Sequence, residues 1–178
     1  TLIGYSFFLG FFGWIYMIMM PYMAVQVLNV SSSGTGIMLT AAGCGAVIPT
    51  VMFARAGIKN RRMGICIGSF MAGFAIIGFA FTSYQFQSFS LAMVFVFIIG
   101  LSSSIYMLSA ISSIQLNVPH EFRGRIMGIY TITYSIVSLG GLYSGLMGGY
   151  IDRLLGIEHI GVPISIGLGG VIVVIGSG

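Results

Sequence analysis

The charged side chains of this 178-residue chain, seven Lys or Arg and three Asp or Glu, fall in three short clusters at positions 55–62, 121–125 and 152–158. Bilayer hydrocarbon excludes unpaired ions, so a chain that crosses repeatedly places its charges where it surfaces. The intervals between the clusters, residues 1–54, 63–120, 126–151 and 159–178, are free of Asp, Glu, Lys and Arg. A hydrocarbon layer of about 30 Å takes about 20 helical residues to cross. The first two intervals therefore hold two spans each and the last two hold one. The expectation is an all-α polytopic membrane protein with six transmembrane helices, near 2–23, 36–54, 63–82, 89–114, 126–150 and 162–178.

Composition narrows the class. Hydrophobic residues make up 57% of the chain and charged ones 6%, against about a quarter charged in soluble domains. The net charge of +4 is confined to loops and forms no basic stripe for a phosphate backbone, so no nucleic-acid partner is expected. Continuous apolar runs replace the ten-residue alternation of a transmembrane β-barrel. Cys44 and Cys66 lie in apolar segments outside any CxxC or Cys/His spacing and read as packing residues, with no metal and no cofactor implied. His120 and His159 both fall in loops, which leaves no His beside a Ser at membrane depth, and the chain does not read as an enzyme.

Sidedness follows from the same clusters. Loops separated by two spans share a face, and the first two clusters hold six of the seven basic residues. The positive-inside rule puts both in the cytoplasm, and both chain ends on that side. The chain starts at Thr1 inside one apolar run and stops at Gly178 inside another, so both ends are expected to be cut.

Within the spans, small and polar residues are patterned. Gly64, Gly68 and Ala72, and again Gly141, Gly145 and Gly149, recur every fourth residue, a stripe that lets helix backbones approach closely in lipid, and Ser144 and Gly148 widen the second stripe. Pro49 predicts a kink and Pro119 the end of the fourth helix. Ser102, Tyr106, Ser109 and Ser113 share one helical face, and Tyr130, Thr131, Tyr134, Ser135 and Ser138 form a broader sector on the fifth span. Tyr16 stands among Trp14, Met17, Met19, Met20 and Met23, which form either an adaptable apolar substrate surface or a lipid-facing and interfacial belt. The candidate cavity residues are Tyr16, Ser102, Tyr106, Ser109, Tyr130, Tyr134 and Ser138. The competing reading of each Ser is a hydrogen bond back to its own helix.

Two loops carry a family resemblance. Pro119-His120-Glu121-Phe122-Arg123-Gly124-Arg125, followed by Gly128, Gly140, Gly141, Gly145 and Gly149, resembles the loop between helices 10 and 11 of the major facilitator superfamily, where an Arg-Gly-Arg turn precedes a Gly-rich helix. Arg55-Ala56-Gly57-Ile58-Lys59-Asn60-Arg61-Arg62 resembles the degenerate second copy of that family's helix 2 to 3 signature, with Ala54 where the Asp stands and Ile58 where a basic residue stands. The first span and its outer loop resemble helix 7 of exporter-like members.

The resemblance implies the C-terminal six-helix half of a twelve-helix transporter, built from inverted three-helix repeats. Its partners would be the bilayer, a small-molecule substrate and an N-terminal six-helix half. It implies secondary active efflux of a largely lipophilic molecule by alternating access, coupled to protons through the other half, in a bacterial cytoplasmic membrane. Arg55, Gly57, Lys59, Arg123, Gly124 and Arg125 become the cytoplasmic loop and gating candidates. The alternative is a non-transporting membrane subunit or scaffold.

Overall fold

The computed structural model describes residues 11–57, 60–156 and 159–177, apart from the side chains of Ala56, His120, Arg123, Thr133, Tyr134 and Ile136. Among these residues all regular structure is helical and there is no strand. Helix α1 (Ile15–Tyr22) runs into a π-helical turn, Met23–Val27. There follow α2 (Ser32–Ala56), α3 (Arg61–Gln85), α4 (Phe89–Asn117), α5 (Arg123–Leu155) and α6 (Gly161–Gly176). The four helices α2 to α5 are long and apolar enough to cross a membrane, whereas Phe11–Val27 and Gly161–Gly176 are shorter apolar helices.

Local chemistry explains the boundaries. Val118 is held extended at φ −103°, ψ 128°, as the residue before a proline must be, and α4 stops there. Gly57 caps α2 at φ 67°, ψ 169°, a backbone region that is essentially glycine-only. Gly156 caps α5 in the left-handed conformation, its N–H donating to Asp152 O at 2.9 Å. The side chain of the same Asp152 accepts from the N–H groups of Ile160 at 3.1 Å and Gly161 at 2.6 Å. A carboxylate at a helix start satisfies donors that the helix leaves open and opposes the helix dipole. The α5–α6 hairpin is thereby tied at its turn.

The charges expected in loops lie mostly in helix end turns. Arg55 is in the last turn of α2, Arg61 and Arg62 open α3, and Arg123-Gly124-Arg125 is the first turn of α5, preceded by a 3₁₀ turn at His120–Phe122. The expected Arg-Gly-Arg turn is therefore helix. From Arg125 to Asp152, α5 rises about 40 Å, close to the thickness of a bilayer with its headgroups. Pro49 sits inside a continuous α2.

Packing is governed by glycines. A Cβ on Gly68 would lie 2.7 Å from Tyr106 N and 3.0 Å from Ser102 O, so α3 rests on the backbone of α4. Gly45 and Gly100 bring α2 and α4 together at Phe97 and Ala42, and Gly73 meets Gly170 across α3 and α6. On α5 the contact face is Gly140, Gly141 and Gly148, with Gly148 against Gly161 and Val162, while Gly145 and Gly149 meet nothing within 4 Å. Of the expected face on α5, Gly141, Ser144 and Gly148 pack and Gly145 and Gly149 do not: buried Ser144, bonded to Ser165 Oγ at 2.6 Å, occupies the middle of the face that α6 covers.

The fully buried side chains Met20, Met23, Met38, Phe79, Val96, Ile99 and Ile166 form one cluster. Most of it lies toward the end of the bundle remote from residues 55–62.

Candidate functional site

Helix α1 is irregular on both sides of its central turn. Trp14 interrupts it with φ −102°, ψ 0°, and Met17 N–H donates to Trp14 O at 3.1 Å. Pro21 brings no N–H into the helix, and two residues later the ladder widens, Leu28 N–H reaching Met23 O at 2.9 Å. A π turn inside a helix frequently marks a functional position. Trp14 at the first irregularity, and Tyr16, Met17 and Met20 between the two, line one wall of a pocket of about 240 Å³.

The other walls come from α2, through Leu39, Ala42, Gly43 and Ala46, and from α4, through Gly100, Ser103, Ser104 and Met107. All three groups lie near the middle of their helices. The Gly45 and Gly100 contacts hold α2 and α4 at backbone distance beside the pocket. No lining residue carries a charge. The polar groups are few: Tyr16 is buried and its hydroxyl is hydrogen-bonded to the Ser103 side chain, and Ser104 is half-buried. An apolar cavity with a few convergent polar groups is the usual form of a small-molecule site.

The candidate cavity residues divide among several places. Tyr16 lines the pocket. Ser102, Tyr106 and Ser109 are all buried, facing Gly64 and Gly68 of α3 rather than the pocket. Ser102 Oγ donates to Ile98 O at 2.6 Å, and Ser113 Oγ to Ser109 O at 2.8 Å, so these hydroxyls largely serve their own helix. Tyr106 packs with Ala110 and Val173, and Ile65 lies against that cluster. Tyr130 is buried on α5. Ser138 is exposed and borders a separate groove between α1 and α5, with Ile18, Gly141 and Leu142. The Tyr134 side chain lies outside the described residues.

Sequence reasoning missed Ser103, Ser104 and Met107. Their signal was present as a second α4 face, Gly100, Ser104 and Met107 at helical spacing, one turn-position away from the face chosen.

Of the loop candidates, Gly57 has a backbone reason for being glycine, Arg55 and Arg125 are exposed, and Gly124 is exposed with open space around its Cα. Lys59 and the Arg123 side chain lie outside the described residues. Cys44 and Cys66 are free and exposed on the helices, and no metal-binding group of His, Cys, Asp or Glu exists among the described residues. Neither a scan against protein-family models nor a search of the curated proteins finds a match to the chain.

Proposed function

We propose that the chain crosses the membrane six times and forms one six-helix half of a transporter of the major facilitator type. In this reading it exports a small, largely lipophilic molecule across a bacterial cytoplasmic membrane by alternating access, with proton coupling supplied by an N-terminal half. The observation that carries the proposal is the uncharged pocket near mid-helix between α1, α2 and α4. Secondary transporters hold substrate near the membrane midplane, where discontinuous helices line the cavity. The interrupted α1 and the two glycine-apposed helices have that form.

The helix pairing gives further support. Exchanging α1, α2 and α3 for α4, α5 and α6 turns the α2–α4 contact into α5–α1, turns α3–α4 into α6–α1, and returns α3–α6 to itself. A two-fold exchange of three-helix units has this self-mapping, and the α1 pairs are much the smaller of those exchanged. The α5–α6 contact is the one main pairing without its counterpart.

The test is accumulation of lipophilic dyes in cells carrying the intact protein, against cells lacking it, with and without a protonophore. Lower accumulation that the protonophore abolishes is the expected result. A difference that persists unchanged with the protonophore counts against proton coupling, and the absence of any difference across the dyes counts against export.

A further inference from the structure

Arg61 stands at the first position of α3, where the helix end already carries partial positive charge. Asn60, the capping residue, makes no side-chain cap hydrogen bond. The Arg61 side chain is half-buried, its Nε is shielded from solvent, and that N–H has no hydrogen-bond partner among the described residues. Arg61 makes no ion pair with any described residue. A shielded donor on a cation without an acceptor is costly to leave unmatched.

Two recesses meet at this side chain. One, of about 360 Å³, runs between α2 and α4 and is chiefly apolar, with Phe53, Ala54, Leu108 and Leu116 in its walls and Thr50 and Ser112 beside them. The other, of about 410 Å³, is polar and is bordered by Asn60, Arg62, Ser113 and Asn117. Arg61 lines both. A guanidinium on the boundary between an apolar slot and a polar recess is complementary to a molecule with an apolar tail and an anionic head, since its fork matches carboxylate or phosphate oxygens.

We infer that the slot between α2 and α4 binds a single-chain amphipathic anion, the tail lying along Phe53, Leu108 and Leu116 and the carboxylate or phosphate head meeting Arg61. The inference names a ligand that the transport proposal does not, and binding is measurable whether or not transport occurs. The slot and the mid-helix pocket share one stripe of α2, where lining residues recur every three or four positions from Leu39 to Gly57. A tail in the slot therefore points along the same helix face that walls the pocket.

The experiment is equilibrium binding of radiolabelled dodecanoate and of uncharged dodecanol to the intact protein in phosphatidylcholine nanodiscs, with a parallel set in discs containing phosphatidylglycerol. Saturable dodecanoate binding is expected, weakened about tenfold by Arg61→Gln with dodecanol affinity changed far less. Arg61→Lys, which keeps the topogenic charge, should retain part of the preference, and Ser112→Phe, which fills the slot, should weaken both probes. Displacement of dodecanoate by phosphatidylglycerol would assign the site to a bilayer lipid and overturn binding of a single-chain ligand. Equal loss of both probes in Arg61→Gln, or an equal loss of dodecanoate in Arg62→Gln, would overturn the role of Arg61, and absence of saturable binding would overturn the site.

Discussion

Helix α4 presents two serine-bearing faces, and the structure uses them in opposite ways. Ser102, Ser109 and Ser113 face α3, where Gly64 and Gly68 remove every Cβ that would hold the helices apart. Ser103 and Ser104, on the neighbouring face, border the pocket with Trp14, Tyr16 and Met17. The residue type is the same on both. What differs is the partner: a glycine helix closes one face, and an interrupted aromatic and Met helix leaves the other open. A hydroxyl on a membrane helix thus has no fixed role until the helix opposite it is known.

The largest effect should come from placing a methyl group on the closed face. Gly68→Ala puts a carbon against the backbone of Tyr106 and Ser102, and overpacking of this kind costs about 1–3 kcal/mol. Its thermal midpoint in detergent should fall well below that of Gly43→Ala, whose new methyl, on the α2 wall that the open face looks across to, meets no described residue within 4 Å. Equal midpoints would erase the distinction between the faces.

Next is Ser104→Leu, which adds bulk to the pocket wall without touching α3. Under the transport proposal, dye export should fall about tenfold, equivalent to about 1.4 kcal/mol, with the thermal midpoint near that of the parent. A variant that loses stability and keeps transport would place Ser104 in packing and not in the site.

The smallest effect is expected for Ser109→Ala. The Ser109 hydroxyl is buried and makes no hydrogen bond among the described residues, so its removal deletes an unsatisfied polar group and should leave stability within about 0.5 kcal/mol of the parent or raise it. A loss of more than about 2 kcal/mol, read from urea or thermal unfolding, would mean that the hydroxyl holds the seam.

Much of this arrangement was legible in the residues. Charge-free intervals located the long helices, Pro119 marked the end of α4, and Gly64 and Gly68 announced a close approach. The partner of each stripe was not legible, because helical spacing defines a face and leaves its neighbour open. Ser102, Tyr106 and Ser109 fit a cavity wall and a glycine seam equally well, and only the position of α3 separates the two. On α5 the abundance of glycine blurred the edge of the working face, since Gly145 and Gly149 repeat as regularly as Gly141 but meet no described residue within 4 Å of a built Cβ. The π turn after Pro21 was also hidden, because one added residue per turn leaves no compositional mark.

The seam between Gly73 and Gly170 bears on the order in which the molecule is assembled. Helices α3 and α4 are joined by a short turn and can pack once both are in the membrane, but the second glycine face of α3 has its partner near the end of the described chain. Until α6 arrives, that face is a backbone-lined notch open to lipid or to another small-residue helix. A chain interrupted within α5 would therefore carry its long apolar helices and still expose a sticky groove. For a quality-control factor that samples membrane helices, the mark of an unfinished molecule would be an unfilled glycine notch rather than a misplaced charge.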